Sequence, residues 1–438
     1  PLASIGSGFG EYFAIMKIGT PPKSIALAID TGSQLLWLQC EPCIRCGTQA
    51  QGYSIYNPAG SSTYVAFACN DGECRGDSSV ATACSSTRAA RIGTDSGPRV
   101  RNNPDMTSHS AIHHDDAVAA VAEAASGERC IYAVSYGDSS NSTGYLSAET
   151  FSMPTARVHT SVLADNIVFG CGLVNTGLIS TLQASGLLGL DRGPFSLITQ
   201  LDIKTFSYCF PNRWPDHSRD DDVGGRDDSR AAGFLSLGST PTDLADGNLQ
   251  YTPLLRNVKS DFLSQFYYLN LTGISVNDRL LTIPASAFGA CAAHNEAPES
   301  SSTPVDCDSP ESSSSTTIID SGTTITSFVH AAYVPLARAF DEAMDPSLTR
   351  INLGDEALKL CYQVPVWNRR APSPPRVTLH LAGPVDLRLE SLHVIALVGS
   401  DTSYSYYCMA FMDSGSGPSA TNYIGNYQQQ DFLVEYDL

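Results

Sequence analysis

Apolar residues along the chain fall mostly in short runs cut by Gly, Pro, Asn or Ser, a pattern of strands rather than helices. The first run, Tyr12 to Ile18, carries aromatic and β-branched residues, breaks at Gly19-Thr20-Pro21-Pro22 and resumes from Ser24 to Ile29, which predicts a hairpin. Similar runs at 166–170, 234–237, 266–271, 318–319, 377–381 and 432–436 predict a mainly β chain. Helical spacing is confined to 194–201 and 331–344, where Val334, Ala337 and Phe340 recur at the interval of a helix face. No uncharged apolar run approaches the roughly 20 residues that a spanning helix needs.

Three stretches break the pattern. Residues 77–128 mix Ser, Ala, Arg and Asp around His109, His113 and His114, so a long mobile loop is expected, with a turn or two of helix at most over 117–125. Residues 211–232, rich in Asp and Arg, read as a disordered acidic linker, and residues 290–317, rich in Ser and Pro, as a surface insertion. Neither composition can bury enough apolar area to offset the entropy of ordering. Across these interruptions one pattern occurs twice. Ala28-Ile29-Asp30-Thr31-Gly32-Ser33 and Ile318-Ile319-Asp320-Ser321-Gly322-Thr323 each run from an apolar strand end into Asp, a hydroxyl residue, Gly and a second hydroxyl residue. Downstream of each stands an apolar doublet closed by Gly, Leu187-Leu188-Gly189 and Tyr423-Ile424-Gly425. The duplication predicts two related β lobes, residues 1–210 carrying Asp30 and residues 233–438 carrying Asp320.

Composition narrows the partners. The 438 residues suffice for two cores of ordinary domain size, and 42% hydrophobic against 16% charged residues is a globular balance. A formal net charge of -19 repels phosphate backbones and anionic lipid heads, which argues against nucleic acid or a membrane as partner. No apolar leader precedes Pro1, so any signal or pro-segment is expected to have been cut away or left out, and targeting is inferred from cysteine. Thirteen cysteines, with glycosylation sequons at Asn141-Ser142-Thr143 and Asn270-Leu271-Thr272, point to an oxidising secretory route. Their connectivity cannot be read from spacing. Cys40-x-x-Cys43-x-x-Cys46 also suits zinc or an iron–sulfur cluster, and His109 with His113 and His114 could take up a metal adventitiously. With so many cysteines at hand disulfides are preferred, and no metal and no cofactor is expected.

An Asp at a tight turn, with Gly allowing close backbone approach and neighbouring N–H and hydroxyl groups free to donate, is by itself an ordinary turn residue. Two such turns differ, because lobes facing each other would bring Asp30 and Asp320 together. Adjacent carboxylates cannot both ionise cheaply. Repulsion raises one proton affinity while Ser33 and Thr323 favour the ionised form of the other, so the pair holds one proton. Such a pair can deprotonate a water while polarising a carbonyl, giving a tetrahedral diol without a covalent enzyme intermediate. An amide is the natural substrate.

Further matches accompany the two motifs: Leu36-Trp37, Tyr136-Gly137-Asp138, Phe169-Gly170-Cys171-Gly172, Gly186-Leu187-Leu188-Gly189-Leu190, Phe206-Ser207-Tyr208-Cys209, Thr324, and Ile424-Gly425-Asn426 with Gln428-Gln429-Gln430. Through them the chain resembles the pepsin-type aspartic endopeptidases, and among these the plant nepenthesin-like branch. The resemblance implies an all-β, bilobal pepsin-like acid protease fold, with two lobes related by an approximate twofold axis and few short helices. It implies that Asp30 and Asp320 form the catalytic dyad, supported by the loop glycines Gly32 and Gly322. Ser33 and Thr323 would bond the outer carboxylate oxygens, and Thr31 and Ser321 would tie the loops together at their base. Tyr136 and Gly137 would sit on a flap over substrate, with Trp37 supporting the Tyr136 hydroxyl; plain core packing is the alternative for these aromatics.

Cys40, Cys43, Cys46, Cys69, Cys74, Cys84, Cys130, Cys171, Cys209, Cys361 and Cys408 fit the family's cysteine framework, Cys361 and Cys408 resembling its second-lobe bridge. Cys291 and Cys307 are extra and would pair with each other. One thiol, Cys171 or Cys209, is expected to be left over, since the chain stops at Leu438 where relatives continue with a strand and a last cysteine. The flap tip, Asp138 to Gly144, departs from the family in lacking Gly after Asp, in running one residue longer and in holding a sequon, so a glycan there could hinder closure. The stretch 77–128 is also longer than the family's insert. The expected function is a monomeric, secreted (apoplastic) or vacuolar aspartic endopeptidase acting on peptide or protein substrates at acidic pH. The alternative is a catalytically silent homologue acting as a binding protein or glycoside hydrolase inhibitor. A cysteine-rich structural or metal-binding protein is a third reading, and it leaves the duplicated Asp motifs without a purpose.

Overall fold

The computed structural model describes residues 2–7, 10–77, 79–85, 114–125, 127–154, 161–177, 180–181, 183–212, 233–241, 249–256, 261–289, 317–354, 357–367, 371–383, 385–417 and 420–438. The chain divides into two compact units, Pro1–Ala3 with Phe13–Ile29 and Gln34–Ile203, and Ser4–Tyr12 with Asp30–Ser33 and Lys204–Leu438. The second unit thus takes in the loop after the first Asp strand, so both Asp motifs belong to it.

In the first unit the strands Tyr12–Ile18, Lys23–Asp30, Gly186–Gly189, Trp37–Gln39, Ser161–Thr176, Asn141–Pro154, Cys130–Ser135 and Ala81–Cys84 are neighbours in that order. Tyr12–Ile18 alternates as a half-buried strand should, with Ala14, Met16 and Ile18 inside and Lys17 exposed. It pairs antiparallel with Lys23–Asp30, Phe13 opposite Ala28, as the hairpin pattern predicts. Leu35, Trp37, Tyr132, Leu146, Leu187 and Phe195 form a core. Within 77–128 the described residues hold more order than a loop: strand Ala81–Cys84 pairs with Cys130–Ser135, and an 11-residue helix spans His114–Ala124. That helix outruns the expected turn or two because Ala117, Val118 and Val121 make one apolar face, which is buried against the Cys130–Ser135 and Asn141–Pro154 strands. Residues 86–113, 213–232 and 290–316, and with them His109, His113, Cys291 and Cys307, lie outside the described residues.

The second unit is again built of sheets. Leu433–Asp437, Thr205–Cys209 and Gly233–Leu237 are successive neighbours. A five-stranded sheet runs Tyr268–Leu269, Thr317–Ile319, Asn422–Ile424, Ser327–Phe328, Met412–Asp413, and two four-stranded sheets complete the unit. Helix His330–Ala343 buries Ala332, Tyr333, Leu336 and Phe340 in the core, whereas Val334 is exposed. The predicted face through Val334 and Ala337 is therefore rotated from the real one: among so many apolar positions, spacing alone leaves the phase open.

The duplicated motif has a duplicated topology. In both copies the strand entering Asp neighbours the strand of the Gly-closed doublet, which in turn neighbours the strand following the motif: Lys23–Asp30, Gly186–Gly189, Trp37–Gln39, and Thr317–Ile319, Asn422–Ile424, Ser327–Phe328. The closing glycine is needed for the same reason twice. A Cβ on Gly189 would lie 2.3 Å from the Gln34 backbone, and one on Gly425 would lie 2.7 Å from the Thr324 carbonyl oxygen.

Among the described residues the disulfides are Cys40–Cys171, Cys43–Cys46, Cys69–Cys84, Cys74–Cys130 and Cys361–Cys408. Cys40, Cys43 and Cys46 are thus all oxidised and have no thiolate to offer a metal. Cys171 being bonded, Cys209 is the free thiol among the described residues. These bridges belong to an oxidising, secretory environment. No helix among the described residues is long and apolar enough to cross a membrane.

Candidate active site

Both aspartates stand where a strand gives way to a turn, and the turns are built alike. The Gly32 N–H donates to Asp30 Oδ1 at 2.8 Å and the Gly322 N–H to Asp320 Oδ1, also at 2.8 Å. The Ser33 hydroxyl donates to Asp30 Oδ2, and the Thr323 hydroxyl to Asp320 Oδ2 at 2.7 Å. The loops interlock at their base: the Thr31 N–H donates to Ser321 Oγ at 3.0 Å and the Ser321 N–H to Thr31 Oγ1 at 2.9 Å. The structure therefore brings all eight residues of the two motifs together.

Asp30 and Asp320 are hydrogen-bonded to each other, and at 6% and 8% exposure both are buried. Burial first, and the adjacent Asp320 carboxylate second, push the Asp30 carboxyl well above the usual carboxylate range. Donation from Ser33 and the Gly32 N–H pulls the other way and does not offset them. Each loop glycine lies against the opposite carboxylate. A Cβ on Gly32 would stand 2.7 Å from both Asp320 oxygens, and one on Gly322 only 2.2 Å from Asp30 Oδ1. The arrangement can hold a proton between two oxygens and release it from either side.

In the first unit Trp37 Nε1 donates to the Tyr136 hydroxyl at 2.7 Å, so the expected partnership of these aromatics is present alongside core packing of Trp37. Tyr136 and Gly137 open the turn joining the Cys130–Ser135 and Asn141–Pro154 strands. Asp138 accepts from the Ser140 N–H and hydroxyl, while Ser139 adopts a φ of 68°. A non-glycine residue in this region carries about 1 kcal/mol of strain. Ser139→Gly is expected to strengthen the turn by ~0.5–1 kcal/mol, read as roughly two- to fivefold slower amide exchange at Tyr136 and Ser139, whose N–H groups close it. Asn141 Nδ2, where a glycan would attach, donates to the Ser139 carbonyl at 2.9 Å. Asn270 is half-buried between Tyr268–Leu269 and Leu271–Val276, and its buried Oδ1 has no hydrogen-bond partner among the described residues.

Sequence reasoning missed the polar frame behind the aspartates. Asn426 Nδ2 donates to the carbonyls of Gly10 and Ser321 at 2.9 and 2.8 Å, fixing the N-terminal segment to the second Asp loop. Gln429 Nε2 donates to the Asp320 and Ile424 carbonyls, and Gln428 Nε2 to those of His393 and Ala410. Asn426 and Gln428 to Gln430 were picked out only as matches to the family, and nothing in this polar run directly after an apolar strand marks it as buried.

A Ser–His–Asp cluster also escaped notice: His380 Nε2 lies 2.7 Å from Ser275 Oγ, and its Nδ1 2.7 Å from Asp386 Oδ1. It sits on the sheet face opposite the core residues Ile274 and Leu379. Ser275 is buried within paired strands, and among the described residues no donor other than His380 is bonded to its oxygen, whereas acyl transfer requires convergent donors. The cluster is a polar tie across three strands.

Two interlocked Asp loops on a topology repeated within one chain define a two-domain, pepsin-like aspartic protease class. Comparison with known proteins agrees. The family described as "Xylanase inhibitor N-terminal" matches residues 12–239, and "Xylanase inhibitor C-terminal" matches residues 266–438. Over 434 residues the chain is 30% identical to aspartic proteinase nepenthesin-1 of Nepenthes gracilis, covering 99% of this chain and 77% of that protein. To nepenthesin-2 of the same plant it is 28% identical over 432 residues, with coverages of 99% and 76%. The fold is similar to that of basic 7S globulin from soybean, with a TM-score of 0.61 at 18% identity, covering 100% of this chain and 93% of that one. The chain belongs to the nepenthesin-like family of plant aspartic proteases.

Proposed function

We propose that the chain is an aspartic endopeptidase that hydrolyses internal peptide bonds of protein substrates at acidic pH, with Asp30 and Asp320 as its catalytic dyad. The observation carrying this reading is that two carboxylates share a hydrogen bond while each receives the same pair of donors, a backbone N–H and a hydroxyl, from its own loop. One proton on the pair leaves one carboxylate free to take a proton from an attacking water while the acid donates to the substrate carbonyl oxygen. The resulting diol collapses as the newly formed acid protonates the departing amine nitrogen and the other carboxylate takes back the proton of a diol hydroxyl. The dyad ends as it began, so no cofactor enters the balance. The raised Asp30 carboxyl keeps the singly protonated pair populated upward from the acidic range. Delivery to the apoplast or the vacuole, action as a monomer, and roles for the sequons at Asn141 and Asn270 belong to the same reading.

The description of the matched family favours a second reading, a catalytically silent binding protein directed at glycoside hydrolases. Incubation with a denatured protein at about pH 3 to 5 separates the two. The endopeptidase reading expects internal cleavage that a statine-type transition-state mimic blocks. A folded protein that cuts nothing, or cutting indifferent to the mimic, overturns it.

A further inference from the structure

The peptide group joining Asp320 to Ser321 is held at both ends. Its carbonyl accepts from Gln429 Nε2 at 3.2 Å, and its N–H donates to Thr31 Oγ1 at 2.9 Å. The first of these contacts is the end of a chain of hydrogen bonds. Tyr208 donates to Gln429 Oε1, and the Tyr436 hydroxyl lies 3.1 Å from that of Tyr208.

Each hydroxyl has one proton to give, and Tyr208 gives its own to Gln429, so Tyr436 donates to Tyr208. At the other end of the peptide the Thr31 oxygen accepts from the Ser321 N–H. All four side chains are buried, Thr31 and Tyr208 fully and Tyr436 and Gln429 to 2% exposure, so water cannot substitute for a broken link. The phenol rings are themselves clamped: Tyr436 stacks on Phe206 at 4.4 Å and Tyr208 on Phe210 at 4.2 Å. Thr205–Cys209 pairs with Leu433–Asp437, placing Phe206 opposite Tyr436.

We propose that Tyr436, Tyr208 and Gln429 are positioning residues of the aspartate pair, a chain of hydrogen bonds that ends on the Asp320 carbonyl and, with Thr31 on the Ser321 N–H, sets the tilt of the 320–321 peptide and hence the placing of the Asp320 carboxylate against Asp30. The kinetic consequences rest on the endopeptidase reading; the chain itself does not. A peptide free to rock displaces the carboxylate it carries, and reacting groups tolerate only about 0.5 Å of displacement. A looser pair also interacts less, so its two apparent proton affinities move toward each other.

The test is Tyr436→Phe, Tyr208→Phe and the double variant, each of which removes hydroxyls and keeps the stacked rings. Each single change is expected to lower kcat about tenfold with KM within about twofold, and to narrow the bell of kcat/KM against pH. The double variant should be no slower than the slower single one, because Tyr436 acts on the peptide only through Tyr208. Without any turnover, the fall in thermal midpoint as pH rises, which follows the proton on the pair, should be shallower in all three variants. Tyr208→Phe breaks the chain at a separate point and stands in should Tyr436→Phe fold poorly. Wild-type kcat, bell and thermal profile in both single variants, or losses that multiply in the double one, overturn the proposal. A wild-type protein that cleaves nothing ends the endopeptidase reading alone, and the thermal profiles still decide on the chain.

Discussion

Asp30→Asn is expected to lower peptide-bond hydrolysis by at least about 10⁴-fold while making the protein more stable at neutral pH. The catalytic half follows from proton bookkeeping: asparagine keeps the outline of the carboxyl group but can neither take a proton from water nor return one to the leaving nitrogen. The stability half follows from linkage. The proton affinity of Asp30 is raised on folding above its ordinary value of 3.8, by burial first and by Asp320 second. Above pH 3.8 the unfolded chain releases this proton while the folded chain retains it. The contribution of Asp30 to stability is therefore fully present at low pH and declines as pH rises toward the raised folded value, by up to about 1.4 kcal/mol per pH unit. The amide has no charge to bury and escapes the decline. The gain of variant over wild type should widen steadily from about pH 4 to pH 7 in calorimetric midpoints. Wild-type turnover in the variant would remove Asp30 from the reaction, and a midpoint difference independent of pH would contradict the shared, buried proton.

What the sequence disclosed about this site was local. In each Asp turn the glycine donor lies two residues on and the hydroxyl donor three, so a four-letter pattern contains the whole arrangement, and its recurrence exposed the doubled topology. Tyr208 and Gln429 are 221 residues apart and Tyr208 and Tyr436 228 apart, and although Tyr208 and Gln429 fall in stretches that match the family, nothing local joins the three until the fold does. The disulfides were expected but their connectivity was closed to the sequence for a related reason: Cys40 reaches across 131 residues to Cys171, while its neighbours Cys43 and Cys46 bond to each other. Helix His114–Ala124 was hidden by its surroundings, since its small apolar face means little without the sheet that it covers.

Gly322→Ala is expected to be nearly as damaging to catalysis as the loss of an aspartate, with kcat reduced about 10²- to 10³-fold from the addition of one methyl group. Neither Gly322 nor Gly32 has a positive φ, so the backbone accepts alanine at both, and the objection is one of space alone. At 322 the new carbon would stand 2.2 Å from Asp30 Oδ1 and 2.6 Å from its Cγ, well inside the 3.0 Å that Cβ atoms essentially never breach. Asp30 cannot swing aside cheaply, because Ser33 and the Gly32 N–H hold its two oxygens separately. Either those bonds break or the loops part, and both outcomes spoil the shared hydrogen bond. The accompanying loss of stability should be about 1–3 kcal/mol, the usual effect of overpacking. Gly32→Ala is the internal control: its methyl would meet both Asp320 oxygens at 2.7 Å, a milder overlap, so its effect should be smaller. Single-turnover rates and affinity for the statine-type mimic, measured on both variants, should rank wild type first, Gly32→Ala second and Gly322→Ala last. The reverse order, or wild-type rates in Gly322→Ala, would mean that the close approach of each loop to the opposite carboxylate does not govern the chemistry.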